Sequence, residues 1–519
     1  MSQAEIIYPI GVQSFEKIRK AGALYVDKTR FVWKLTRGIA PIFLSRPRRF
    51  GKSLFISTIQ AYFEGKKDLF EGLEIEKLED KWEVYPIFHL DLNVGNYENS
   101  DTLESVLDEF LSLKERKYCV TPKDRTKYEL RFMNLIKAAK NACNKEVVVL
   151  IDEYDKPLLE CPDSFRSSYE NILGAFYSVL KSCDKDIRFS MLTGVARFGK
   201  VSIFSALNNL NDISLTEEFN DICGISQTEL ADFFSDSIEM LALKYKSDKQ
   251  EIFRRLKLMY DGYHFADPDA TDYVYNPFSL LNCFYHKHFG EYWFDSATPR
   301  YLIKALAKTG INYSDLHDVI VKENILKGVN VPEYSAESVL YQTGYLTIKE
   351  YKPRFNQYVL DFPNEEVKAG FANVSFMVYG SKNPSEFDIS KFVRDLDQGN
   401  PNQFMERLKS LLAKNPYEHA KHYEAIYHNM LFVLFTLLGY ETDCECHFNN
   451  GRADMIVKTN RFIYIFEFKL NRTASEALCQ IADKGYVDPF LQSDRKIYKI
   501  GVNFSKEKRN IDNWEIEEE

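Results

Sequence analysis

Apolar residues fall on consecutive positions in Ile42-Phe43-Leu44 and Val147-Val148-Val149-Leu150-Ile151, and Ile187 to Leu192 reads as a third core strand. A strand that is greasy on both faces belongs inside a parallel sheet covered on each side by helices. Helical spacing (Leu54, Phe55, Ile59) follows the first run. The alternation predicts an α/β core.

The pattern changes downstream. Thr216 to about Phe294 has helical spacing with short breaks and predicts a small helical lid. From Tyr301 to about Pro401, helical pieces alternate with short strands such as Tyr345-Leu346-Thr347-Ile348, which suits a helical or winged-helix-like connector. Met430 to Leu438 is too short to span a bilayer and reads as a buried helix. Gly451 to Val457, the polar pair Thr459-Asn460 and Arg461 to Leu470 read as a β-hairpin. The expected division is 1–215 core, 216–300 lid, 301–400 connector and 401–519 C-terminal domain.

Polar residues at strand ends carry the candidate chemistry. Arg46-Pro47-Arg48-Arg49-Phe50-Gly51-Lys52-Ser53 joins the first strand to its helix. A turn at that place offers successive backbone N–H groups and a helix N-terminus to an anion. Lys52 is then expected to reach the β/γ-phosphates, and the Ser53 hydroxyl to ligate Mg²⁺. Arg46 stands where the general phosphate-loop pattern has glycine, and Arg46, Arg48, Arg49 and Lys52 concentrate positive charge where polyphosphate would lie. Asp152 and Glu153 end the second run, where α/β sheets place ligand chemistry. Asp152 suits a Mg²⁺ ligand and Glu153 a base polarising the attacking water. Thr193, at the end of the third run, is placed to sense the γ-phosphate, and Arg197 to lend charge to the transition state.

The second strand of the C-terminal hairpin is apolar until Glu467 and Lys469. Period two puts Ile463, Ile465, Glu467 and Lys469 on one face. Ionisable groups on a core strand are costly unless paired or metal-bound. Asp454 on the facing strand is expected to converge with Glu467 as an oxygen ligand pair for Mg²⁺, with Lys469 orienting or deprotonating water. The competing reading is a structural ion pair of Lys469 with Glu467 or Asp454.

Tyr25-Val26-Asp27-Lys28-Thr29, the Arg46–Ser53 string, Ile151-Asp152-Glu153-Tyr154-Asp155-Lys156-Pro157 and Phe204 to Ile213 resemble the AAA-ATPase-like family. In that family the arginine at position 46 ordinarily replaces the first glycine, and the whole string, Phe50 and Gly51 included, forms the nucleotide-binding loop. The resemblance covers about the first two hundred residues. The spacing Asp454, Glu467, Lys469 resembles the PD-(D/E)xK nuclease superfamily. That likeness implies further roles for Glu424, where its first-helix acid belongs, and for Gln480, where its Q-x(5)-Y-like helix belongs. The two resemblances imply a P-loop NTPase sheet with a helical lid, and a C-terminal α/β restriction-endonuclease-like domain. They imply ATP and Mg²⁺ as cofactors and nucleic acid as partner, DNA before RNA, and they admit a homo-oligomer. A role in defence against foreign nucleic acid or in mobile-element biology fits such fusions.

Composition narrows this a little. The formal net charge of −9 argues against a broadly basic nucleic-acid coat and leaves room for a local basic groove. Nine cysteines without framework spacing, and a start that is no signal peptide, predict reduced thiols and a cytoplasmic setting with no membrane partner. Cys444, Cys446 and His447 lack a second cluster and read as strand packing, and His264 as a packed turn residue. The expected function is an ATP-hydrolysing protein coupled to a metal-dependent nuclease-like domain. The alternative is a nucleotide-switched interaction or DNA-binding protein whose nuclease fold is inactive.

Overall fold

The computed structural model describes residues 6–197, 209–293, 316–326, 328, 335–371, 389–413, 441–448, 451–508 and 510–519. The chain divides into two compact units. The first holds residues 1–305 and 318–367, the second 306–317 and 368–519.

In the first unit, β1 (Ile42–Ser45), β2 (Ile87–Asp91), β3 (Val147–Asp152), β4 (Ile187–Gly194) and β5 (Asn211–Asp212) form one sheet in the order β2-β3-β4-β1-β5. Every pairing is parallel. The all-apolar runs make the centre, and β3 is buried along its whole length. Each such Val, Leu or Ile side chain contributes about 1.5–3 kcal/mol through removal from water. Helices supply the cover: Phe132 of helix Tyr128–Cys143 stacks on Phe176 of helix Asp163–Ser182, ring centroids 4.6 Å apart. The strand order has a consequence for chemistry. β4 lies between β1 and β3, so Thr193 stands between the turn after β1 and the acids after β3.

Helices Gln227–Phe233, Ser235–Tyr245, Lys249–Tyr260 and Pro277–His286 follow, with the small pair β6 (Ile225–Ser226) and β7 (Val274–Tyr275). They share a core of Leu230, Phe234, Ile238, Leu241, Leu256, Leu280 and Phe284. A capping box of Ser226 and Glu229 starts the first of them. Residues 318–367, expected within a separate connector, pack in this first unit. They form the antiparallel sheet β8-β10-β9, from β8 (Val319–Lys322), β9 (Thr347–Lys352) and β10 (Gln357–Asp361), with helix Ala336–Thr343.

The second unit holds a mixed sheet in sequence order: β11 (Glu441–Phe448), β12 (Gly451–Lys458), β13 (Phe462–Leu470), β14 (Lys496–Ser505) and β15 (Asn510–Glu518). Only β13 and β14 run parallel, which requires a crossover, and helix Ala474–Asp483 supplies it. Period two divides β13 as its sequence requires. Ile463 and Ile465 pack with Leu478 and Ile481 of that helix, whereas Phe466 faces Phe404 of helix Pro401–Ala413.

Candidate functional site

The turn after β1 is bent by two left-handed residues, Arg49 (φ 69°) and Gly51 (φ 96°). A methyl group on Gly51 would meet nothing within 4 Å, so backbone conformation alone calls for glycine there. Gly51 is also the cap of helix Lys52–Phe63 and brings no side-chain cap, so the first-turn N–H groups keep their capacity for an anion. Lys52 is buried and bent back over the loop. Its ammonium donates to the carbonyls of Arg46 (3.0 Å) and Pro47 (3.2 Å) and lies 3.8 Å from Glu153 Oε1.

Behind the lysine, β3 delivers its acids. Asp152 Oδ1 accepts from the Thr193 hydroxyl on β4 and from the Glu153 N–H. Glu153 itself adopts φ 52°, a strained conformation for a non-glycine residue, at the point where the chain leaves the sheet. The next two residues hold the end of β4. The Tyr154 N–H donates to Thr193 O, its hydroxyl to Ala196 O, and Asp155 Oδ2 accepts from the N–H groups of Val195 and Ala196. Burial, then the nearby Glu153 charge, pushes the Asp155 carboxyl up to about 7.

A cleft of about 340 Å³ opens over this loop. Arg48, Arg49, Lys52, Glu153 and Lys156 give it charge, Ser53 adds a hydroxyl, and Pro9, Val12, Phe278 and Leu281 give it an apolar flank. A smaller apolar cavity of about 100 Å³ shares Pro9, Gly51, Leu54, Pro277 and Leu281 with it and reaches Tyr25 and Phe55. The segment before the first helix, Lys156 and Phe278 carry no motif role in the sequence. Their only signal is position inside strings that resemble the family, such as Asp155-Lys156-Pro157 and Asn276-Pro277-Phe278.

Three residues expected at the nucleotide do not line this cleft. Arg46 is 1% exposed and donates to the carbonyls of Ser45, Ser214 and Phe219, its guanidinium 4.1 Å from the Phe265 ring. It fastens the core and adds no charge to the cleft, because the chain leaves β1 with this side chain turned inward. Phe50 is buried edge-on against Tyr263 and Phe265 and lines the smaller apolar cavity. Arg197 pairs with Asp212 at 2.5 Å and lines a small pocket with Arg46, outside the cleft lining. By contrast Arg48 lines the cleft 3.9 Å from Glu160, and Arg49 lies over Phe278. His264 is fully buried, with Nε2 2.7 Å from the Thr271 hydroxyl.

The second cluster lies in the other unit. The β12–β13 ladder runs from Lys458↔Ile463 to Met455↔Phe466. One step further, the Asp454 side chain takes over the pairing, its Oδ2 accepting from the Phe468 N–H at 2.7 Å. This directs Asp454 toward Glu467. Glu467 is 1% exposed and burial, reinforced by the Asp454 charge, pushes its carboxyl up to about 7. Its Oε1 accepts from Lys469 Nζ at 2.8 Å, and that ammonium also reaches Gln480 Oε1 at 2.6 Å. Glu467 Oε2 is buried without a hydrogen-bond partner. A carboxylate oxygen so placed, beside a second carboxylate, fits a hard divalent cation. The structure thus brings Asp454, Glu467, Lys469 and Gln480 together. Glu424, the side chains of Cys444, Cys446 and His447, and the run Met430 to Leu438 lie outside the described residues. Among the described residues no set of three or more His, Cys, Asp or Glu side chains is arranged around a common metal position. No helix among them is long and apolar enough to cross a membrane.

Comparison with known proteins agrees with this division. A family described as predicted AAA-ATPase matches residues 9–204, and the PD-(D/E)XK nuclease superfamily matches residues 422–514. An uncharacterized protein in the vnfD 5′ region of Azotobacter chroococcum is 34% identical over 532 positions, covering 98% of each chain.

Proposed function

The chain belongs to the family of AAA-ATPase-like proteins that carry a C-terminal PD-(D/E)XK nuclease superfamily domain, and from that premise we propose an ATP hydrolase coupled to a Mg²⁺-dependent nuclease acting on DNA. The observation that carries the first half is the Lys52 ammonium, buried at a helix N-terminus on loop carbonyls and 3.8 Å from Glu153. In this reading triphosphate takes the place of those carbonyls as the partner of Lys52, while Arg48 and Arg49 meet the outer phosphate oxygens. Ser53 and Asp152 would hold Mg²⁺, which neutralises developing charge on the phosphates. Thr193 fixes Asp152 through its hydroxyl, and Glu153 accepts a hydrogen bond from the attacking water and orients it. The apolar cavity beside Tyr25 and Phe55 would take the base.

In the second unit Asp454 and Glu467 would hold Mg²⁺, which supplies Lewis acidity at a phosphodiester. Lys469, held by Gln480, orients water beside it. One observation favours a second reading, a nuclease fold kept for docking: the 2.8 Å ion pair of Lys469 with Glu467 Oε1 forms without metal.

The test is incubation of the full chain with Mg²⁺ and single- or double-stranded DNA or RNA, with and without ATP. Lys52→Ala is expected to abolish ATP binding, whereas Glu153→Gln keeps binding and loses turnover. Lys469→Ala is expected to lose cleavage. Cleavage unchanged in Lys469→Ala removes its assignment, and none in wild type favours the docking reading.

A further inference from the structure

The back of the phosphate-binding loop is held by residues far along the chain. Trp293 is fully buried, and its indole N–H donates to Arg48 O at 3.1 Å. Pro47, one residue earlier, lies against Gly344, the left-handed cap (φ 88°) that ends helix Ala336–Thr343. A methyl group on Gly344 would stand 2.7 Å from Pro47 Cβ and 3.6 Å from the Trp293 ring, so loop, indole and cap are in contact. Trp293 is itself fixed. Glu366 Oε1 accepts from the N–H groups of Tyr292 (2.6 Å) and Trp293 (2.9 Å), and the ring packs edge-on against Tyr345, centroids 5.0 Å apart. A second fastening reaches the end of β4, where Gln342 Oε1 accepts from the Arg197 N–H.

These contacts have a common direction. Arg48 and Lys52 line the cleft, and the carbonyl of Pro47 accepts from the Lys52 ammonium. The main chain that Trp293 and Gly344 grip is therefore the chain whose N–H and C=O groups surround Lys52. A loop with two left-handed residues in three has little intrinsic preference for one shape. Contacts from outside must select it.

We propose that Trp293, pinned by Glu366, is a positioning residue for the phosphate-binding loop, and that residues 335–367 are thereby coupled to nucleotide occupancy. The proposal rests on the nucleotide reading above. Coupling of this kind is reciprocal: whatever order the 335–367 segment lends to the loop, bound nucleotide returns to the segment. Neither Trp293 nor Glu366 touches the reacting atoms, so their effect falls on affinity and leaves the chemical step alone.

The experiment is calorimetric titration of ATP with Mg²⁺ into full-length protein, with steady-state hydrolysis and hydrogen exchange of β9 in parallel. Trp293→Phe keeps an aromatic ring and deletes the donor to Arg48 O, and about a tenfold rise in Kd and KM at unchanged kcat is expected. Glu366→Ala is expected to act likewise, while Glu366→Gln, which keeps an acceptor, restores near-wild-type affinity. Nucleotide is expected to slow exchange in β9 of wild type and less so in Trp293→Phe. Should Trp293→Phe fail to fold, the Glu366 pair with the exchange readout decides alone. Wild-type affinity in both Trp293→Phe and Glu366→Ala, or β9 exchange indifferent to nucleotide, overturns the proposal while the nucleotide site stands. A wild type that binds no ATP overturns both.

Discussion

Arg46 spends its guanidinium on three backbone carbonyls, those of Ser45, Ser214 and Phe219, under the Phe265 ring. Removing it strands buried acceptors and empties a packed site, so Arg46→Ala is expected to cost about 3 kcal/mol of stability. Lysine offers a point charge in place of a planar fork and is not expected to rescue it. Denaturant midpoints check this; unchanged stability with weakened ATP binding would return Arg46 to the phosphates. The residue also shows where sequence reading stops. Arg46, Arg48 and Arg49 share one turn and one charge, and only the left-handed step at Arg49 and the inward exit from β1 separate their directions. Lys52 and Glu153 were easier, since strand ends in a parallel sheet converge by topology. Asp454 and Glu467 follow from the hairpin register in the same way. Lys156 and Phe278 carry no such rule, because they reach the cleft from the first turns of helices outside the sheet.

Elements meet closely enough for single atoms to matter. Gly501 on β14 lies directly beneath helix Ala474–Asp483, and a methyl group there would collide with Ala474 O and crowd Leu478 N. That helix carries Gln480 onto Lys469. Gly501→Ala is therefore expected to destabilise the second unit by about 1–3 kcal/mol and to release Lys469 from Gln480. Thermal melts check the stability, and a changed pH profile of cleavage checks the release. The 335–367 segment gives a pH prediction. Burial pushes the Glu366 carboxyl up to about 7, against an ordinary 4.5, with Ser279, Glu291 and the two N–H groups facing it. Between those values the folded state holds a proton that the unfolded state has lost, so this group's contribution to stability falls as pH rises. The melting temperature of Glu366→Gln minus that of wild type should climb from pH 4.5 to about 7 and level beyond. A flat difference removes the burial argument. None of this was visible in the sequence, where Glu366 is one acid of a Glu-Glu pair in a stretch read only as helical pieces and short strands.

At the scale of the whole chain, the proposed function gives the two units cation sites of different composition. In that reading the first pairs a hydroxyl and a carboxylate, Ser53 and Asp152, with the phosphates of a nucleotide; the second offers, among the described residues, Asp454 and Glu467. A ligand that binds only the folded state stabilises it by about 2.7 kcal/mol at a hundred times Kd. Mg²⁺ without nucleotide should therefore protect the second unit, and protection of the first should require Mg²⁺ and ATP together. Hydrogen exchange reads the two separately, through helix Lys52–Phe63 and through β13. Lys52→Ala is expected to erase the nucleotide effect on the helix and leave the metal effect on β13; Asp454→Ala should do the reverse. Slowed exchange in β13 that survives Asp454→Ala would mean that the Asp454–Glu467 pair is not the cation site, and the paired Lys469–Glu467 of a docking fold would then account for the strand acids.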